Sequence, residues 1–189
     1  YQSKKVFITS NSPDKYFFKD LNTDKIRKFF RDNIQIKKRY LRAINYYSKK
    51  IFKNQRILGV HFRGTSYKRS PGHPFPATKK QIIINVEKIM SENNYDKIFL
   101  VTEENNYKNL FVSKFKDKML FLKKTFRSDK NDAFNIYPRF LHRFKLGRDI
   151  LLETLLLSKC DALVYVTSNV SSAAIAWQLN PNQKRYKII

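Results

Sequence analysis

The alternation of hydrophobic and polar positions changes period near residue 56. Before that point the rhythm is helical: Ile26, Phe29, Phe30, Tyr40, Leu41, Ile44, Tyr47 and Ile51 recur at spacings of three and four, with Lys and Arg between them. Such a pattern predicts an amphipathic helix packed on a core, its other face basic and solvated. Thr23 and Asp24 suit its start, and Asn33 is a candidate point of division into two helices. Upstream, residues 5–10 (KVFITS) read as a short strand, followed by a turn at Asn11-Ser12-Pro13.

From residue 56 onward, short β-rich runs alternate with helical stretches. Strands are expected at residues 57–62, 97–102, 119–122 and 162–167, with a fifth beginning at 185. Helices are expected at residues 79–93, 105–115, 148–158 and 171–179. Alternating β and α units predict a parallel sheet with helices on both faces, so the expected fold is α/β, Rossmann-like and doubly wound, preceded by a basic helical segment. Ligands of such sheets bind beyond the carboxyl ends of the strands. Three polar clusters stand at those ends: His61-Phe62-Arg63-Gly64-Thr65-Ser66, Thr102-Glu103-Glu104, and Thr167-Ser168-Asn169-Val170-Ser171-Ser172.

Composition narrows the picture. A chain of 189 residues, 42% hydrophobic, can bury one sizeable core, and one domain is the default expectation. It contains no apolar run of about 18 residues, the length needed to span a bilayer, and its first residues lack the layout of a signal peptide. The chain does not begin with Met and ends abruptly at Lys187-Ile188-Ile189, so a processed, trimmed or partial chain is expected. With Cys160 as the single cysteine, an internal disulfide is excluded and a reducing, cytoplasmic setting is expected. His61, His73, His142 and Cys160 show no recognised zinc spacing, so no metal centre is expected. The net charge of +24 attracts phosphates of some kind without naming them. Lys, Asn and Ile richness throughout the chain is an alternative source of the high isoelectric point.

Arg63 follows His61 at the two-residue period of a strand, and Gly64 then lets the backbone turn away. A guanidinium there can clamp a diphosphate bidentately and neutralise charge on a leaving nucleoside diphosphate. The alternative is an arginine paired with a carboxylate. At the fourth strand's exit, Ser168, Asn169, Ser171 and Ser172 meet a helix N-terminus, which suits an anion but equally suits ordinary capping. Glu153 lies in the apolar stretch Ile150-Leu151-Leu152-Glu153-Thr154-Leu155-Leu156-Leu157 and requires a partner. Two readings stay open for it: a guanine base, whose ring N–H and exocyclic amine match two carboxylate oxygens, or a salt bridge to Arg148 or another nearby cation.

Several runs together resemble a known family. Gly59-Val60-His61-Phe62-Arg63-Gly64-Thr65, the following Pro71-Gly72-His73-Pro74 and Pro76, and Gly147-Arg148-Asp149 through Asp161 to Thr167-Ser168-Asn169-Val170-Ser171 resemble bacterial fucosyltransferase-like proteins, over roughly residues 56–178. The superfamily includes the α1,6-fucosyltransferases and protein O-fucosyltransferases. The resemblance implies a GDP-sugar-binding lobe of a GT-B architecture at residues 56–189. Residues 1–55 would then be the remnant of, or connector to, an acceptor lobe. By the same resemblance His61 and Arg63 match the His-x-Arg of a first motif, Thr102, Glu103 and Glu104 resemble a second, and Thr167 to Ser172 a third. Gly64 and Thr65 would join the donor site and Glu153 would read guanine. His73 and Glu103 are the two nominees for general base. Ser66 stands where the family commonly has an acidic residue, which places activity in question.

The expected function is therefore inverting, metal-independent transfer of a sugar, fucose by resemblance, from a GDP-sugar to a glycan acceptor, with Arg63 catalytic and no cofactor. A basic face resting on an anionic membrane, at its inner surface, would fit the charge. The rival expectation is a nucleic-acid-binding module, suggested by aromatics interleaved with basic residues in Lys15-Tyr16-Phe17-Phe18-Lys19 and Arg39-Tyr40-Leu41-Arg42. An inactive relative that keeps the fold is a third.

Overall fold

In the computed structural model, which describes residues 23–63, 77–129 and 136–188, five strands form a single all-parallel sheet. The strands are β1 (Ile57–His61), β2 (Lys97–Val101), β3 (Met119–Leu120), β4 (Ala162–Tyr165) and β5 (Lys184–Lys187), in the spatial order β3-β2-β1-β4-β5. The helices are α1 (Thr23–Asn33), α2 (Lys38–Phe52), α3 (Lys79–Glu92), α4 (Asn105–Phe115), α5 (His142–Leu157) and α6 (Asn169–Trp177). The chain builds outward from β1 to one edge, then returns to add β4 and β5 on its other side. The two halves therefore diverge between β1 and β4, the switch point of a doubly wound sheet.

The central strand β1 is buried along its whole length because helices cover both faces of the sheet. Its period of two divides the interior. Leu58, Val60 and Phe62 face one core with Ile82, Val86 and Phe111 of α3 and α4, while Ile57 faces another with Phe99, Leu155, Leu156 and Leu163. Ile44 and Phe52 of α2 belong to that second core, and Phe30 of α1 meets Trp177 of α6 edge to face at 5.4 Å. The N-terminal helices thus rest on α5 and α6, on the sheet face opposite α3 and α4. Arg39 lies over the ring of Tyr40 at 4.7 Å and donates to its hydroxyl. One of the aromatic and basic pairs that suggested nucleic acid is thereby engaged within the chain.

The helical stretch divides after Asn33 as its pattern suggests, into α1 and α2. Strand β4 stops two residues short of the expected 167 and α6 runs two positions earlier than expected, and two further boundaries differ for reasons visible in the packing. Helix α5 begins at His142, six positions earlier than residue 148, because His142 is buried against Phe126 although the residues around it are charged or exposed. Strand β3 is only two residues long: as the sheet's edge it pairs on one side, and the chain turns away once Leu122 has entered the core. The expected strand at residues 5–10 and the turn after it lie outside the described residues. Among the described residues no helix is long and apolar enough to cross a membrane.

Gly59 is closely packed on β1. A Cβ there would meet Cys160 Sγ and Leu157 Cδ2 at 3.1 Å and the carbonyl oxygen of Ala162 at 3.2 Å. The last of these is backbone of the neighbouring strand and cannot swing aside. Gly59→Ala is therefore expected to lower stability by about 1–3 kcal/mol, measured as a reduced urea midpoint with an unchanged slope.

Candidate functional site

The strand exits converge at the switch point. His61 ends β1 with 3% exposure, and its Nδ1 lies 3.3 Å from the hydroxyl of Ser168 at the exit of β4. Burial, reinforced by the neighbouring Arg63 charge, lowers the imidazole from its ordinary 6.5 to about 3. His61 is thus neutral at physiological pH and acts here as a hydrogen-bonding spacer between β1 and β4.

Arg63 leaves the sheet just after Phe62, whose N–H donates to the Val101 carbonyl at 3.0 Å and so prolongs the β1–β2 pairing. Arg63 Nε stands 3.8 Å from Glu103 Oε1, each side chain about one-fifth exposed. This separation exceeds hydrogen-bond range, so the two charges face each other loosely across the sheet edge. A phosphate oxygen offers the guanidinium shorter, charge-assisted bonds.

Beyond β4 the chain enters α6 through a capping box. Ser168, with extended φ of −158°, accepts from the N–H of Ser171, and the Ser171 hydroxyl accepts from the N–H of Ser168. The same hydroxyl of Ser171 also contacts the carbonyl of Val166 at 2.9 Å, and both serines are fully buried. Their hydroxyls are occupied within the cap. With the N–H groups of Ser171 and Ser172 taken by the side chain and carbonyl of Ser168, the start of α6 leaves the N–H groups of Asn169 and Val170 beyond the cap, with Asn169 exposed and Thr167 and Ser172 half-buried.

Glu153 emerges from the middle of α5 with its partner supplied from elsewhere in the chain. Arg127 Nη2 meets Glu153 Oε1 at 2.9 Å, the two side chains being 4% and 5% exposed. Arg148, the cation nearest in sequence, instead reaches Asp149 at 3.0 Å, and Arg139 meets the same carboxylate at 2.9 Å. Burial pushes the Glu153 carboxyl up to about 8 against the opposing pull of Arg127 and a hydrogen bond from Thr125.

One cleft gathers these groups. His61, Arg63, Thr102 and Glu103 line it from the sheet, and Thr125, Phe126, Leu146, Ile150, Glu153 and Val170 from the loop after β3, from α5 and from α6. The sequence-predicted residues His61, Arg63, Glu103 and Glu153 are therefore together. Ser168 touches the cleft through His61, while Gly64, Thr65, Ser66 and His73 lie outside the described residues. Thr125, Phe126 and Arg127 were not foreseen, since they sit in an aperiodic stretch between β3 and α5 with no motif to mark them.

Comparison with protein-family models gives no match, and none of the curated proteins matches. Solved structures do match. The α1,6-fucosyltransferase NodZ soaked with GDP-fucose aligns with a TM-score of 0.55 and 19% identity over 81% of this chain and 46% of that one. NodZ from Bradyrhizobium aligns with a TM-score of 0.53 and 16% identity over 80% of this chain and 45% of its own. POFUT1 in complex with GDP-fucose aligns with a TM-score of 0.51 and 9% identity over 82% and 47%. The chain has a fucosyltransferase-like α/β fold and spans less than half the length of the proteins that share it.

The neutral state of His61 has a measurable consequence. Between about 3 and 6.5 the unfolded chain binds a proton at this position that the native chain does not. The His61 contribution therefore raises stability with pH across that window, by up to about 1.4 kcal/mol per pH unit, and is lost on acidification. Glu153, raised from 4.5 to about 8, contributes with the opposite sign between those values. The difference in urea stability between wild type and His61→Asn, followed against pH, isolates the histidine and is expected to narrow steadily as pH falls below 6.5.

Proposed function

We propose that this chain is the nucleotide-sugar-binding lobe of a glycosyltransferase that moves a sugar, fucose by analogy, from a GDP-sugar to a glycan acceptor. The observation that carries the reading is the position of Arg63: it lies beside the switch point of a doubly wound sheet, on the wall of a cleft, where such folds bind nucleotides. NodZ and POFUT1, which share the fold, have been solved with GDP-fucose.

In the proposed reaction an acceptor hydroxyl attacks the anomeric carbon from the face opposite the diphosphate. The bond from that carbon to the β-phosphate oxygen breaks, configuration inverts, and GDP leaves. Arg63 stabilises the charge that grows on the departing phosphate oxygens without a metal ion. The N–H groups of Asn169 and Val170 at the start of α6 support the same charge. The acceptor proton passes to a base, for which Glu103 in the cleft and His73 are the candidates. Glu103 faces Arg63 at 3.8 Å and so stands beside the proposed diphosphate position. Guanine fits the other side of the cleft, between Phe126, Leu146 and Ile150, with the Glu153 carboxylate at its donor edge. Arg127 and Thr125 both engage that carboxyl group and hold it in place.

The test is calorimetric titration with GDP, and with ADP and UDP as controls. Wild type is expected to bind GDP at one site in preference to the others, and Arg63→Ala to weaken it by at least about tenfold, the loss of one charge-assisted contact. A folded wild-type protein that binds no GDP overturns the assignment.

A further inference from the structure

Of the twelve large hydrophobic side chains exposed among the described residues, five fall within nine positions: Ile136, Tyr137, Phe140, Leu141 and Phe144. Single exposed apolar groups are ordinary on a protein surface, whereas a cluster of them marks a contact. Phe140 is 82% exposed, and Tyr137, Leu141 and Phe144 are each more than half exposed. The cluster begins in the segment before α5 and runs into the first turn of that helix.

Inward-facing groups hold this segment in place. Buried His142 meets the ring of Phe126 edge to face at 4.8 Å and that of Tyr137 at 5.8 Å. Arg139 donates from Nη1 to Asp149 at 2.9 Å and from Nε to His142 Nδ1 at 3.4 Å. Arg143 donates to the hydroxyl of Tyr137 at 2.9 Å. Between these anchors Leu141 takes a left-handed backbone at φ 52°, a conformation that side chains other than glycine seldom adopt. The anchors consume the polar groups and His142, and Phe140, Leu141 and Phe144 are left in solvent.

The charge around the cluster has one sign. From Ile136 to Arg148 the sequence holds Arg139, Arg143, Lys145 and Arg148 and no acidic residue. Arg139 and Arg148 share the buried carboxylate of Asp149, so the segment stays net positive. Projecting rings and aliphatic groups flanked by cations match a bilayer with acidic headgroups: the apolar side chains enter the boundary between headgroups and acyl chains, and Lys and Arg meet the phosphates. A fluid bilayer also accepts a ring as exposed as Phe140 without a preformed pocket. A second copy of this chain is disfavoured as the occupant, because at +24 each copy repels the other.

We propose that residues 136–148 form a docking surface for an anionic membrane, with Phe140, Leu141 and Phe144 inserted and Arg143 and Lys145 at the headgroups. The contact is thereby assigned to the start of α5 rather than to the basic faces of α1 and α2. The same helix continues to Leu146 and Ile150 on the wall of the cleft, so docking brings that cleft to the lipid surface. The inference stands independently of which ligand the cleft takes.

The experiment is flotation of the 189-residue chain with phosphatidylcholine vesicles, with and without about 30% phosphatidylserine, at about 0.15 M salt. Wild type is expected to bind the anionic vesicles at least about tenfold more tightly than the neutral ones. Phe140→Ser with Phe144→Ser leaves every basic residue in place and is expected to weaken anionic binding at least about tenfold with an unchanged urea midpoint. Insertion is read separately, from quenching of tryptophan fluorescence by brominated acyl chains. Phe140→Trp is expected to be quenched on anionic vesicles. Wild type, whose single Trp177 packs against Phe30, and Ile84→Trp, on α3 across the sheet, are expected not to be.

Undiminished anionic binding by the double serine variant, or no quenching of Phe140→Trp on bound vesicles, overturns the surface and leaves only diffuse attraction by the net charge. Equal binding of neutral vesicles, or none of either kind, overturns it too. A wild-type dimer that the serine substitutions dissociate, or single-stranded RNA bound in place of vesicles and lost in the same variant, overturns it and assigns the cluster to that partner.

Discussion

Parallel pairing obliges every strand to leave the sheet at the same edge, and the rest of this structure follows from that constraint. A parallel strand cannot hairpin back to its neighbour, so each returns through a helix and the polar strand exits accumulate along one rim. Where winding reverses between β1 and β4, the helices on either side diverge and a crevice opens. His61 and Ser168 meet across that point, and the cleft carrying Arg63, Glu103 and Glu153 opens beside them. The buried centre of the sheet is apolar because both of its faces are covered, which confines chemistry to the rim.

The electrostatics of the rim show a division of labour. His61 is dry enough to remain neutral, so it contributes geometry without charge. Arg63 and Glu103 are partly wet and face each other at 3.8 Å, beyond hydrogen-bond range. Glu153 and Arg127 are dry and tightly paired, a state that resists rearrangement. A partly exposed pair thus stands beside a buried one along the same cleft.

Much of this was legible in the chain because its signals were local. The apolar runs around Leu58, Leu100 and Val164 defined strands by themselves, and the three-and-four spacing of Ile44, Tyr47 and Ile51 defined a helix. Positions at strand exits follow from topology, so Arg63 and Glu103 could be placed in one cleft before any coordinates. Partnerships that cross the chain were not legible. Glu153 advertised the need for a counter-charge through its apolar neighbours, but its nearest cation in sequence, Arg148, turned to Asp149 while Arg127 arrived from an aperiodic loop. The start of α5 was missed for a related reason: burial of His142 by Phe126 and Tyr137 is tertiary and leaves no periodic trace. Likewise, Ser168 and Ser171 were correctly located at a helix start, but the reciprocal bonds that occupy their hydroxyls became visible only in three dimensions.

The close approach of Cys160 to Gly59 gives the protein a reporter of its own motions. The thiol is fully buried, is pushed well above the ordinary thiol range by its dry surroundings, and contacts the carbonyl of Leu156 at 3.4 Å. In the closed native state it is shielded from alkylating reagents and scarcely ionises, so modification must await separation of the α5–β4 connection from the central strand. As the chain's single cysteine, its labelling rate registers that separation without interference from another thiol. A residue with no assigned chemistry thus becomes a clock for opening beside the central strand, set where the sulfur packs against the one residue of β1 that has no side chain.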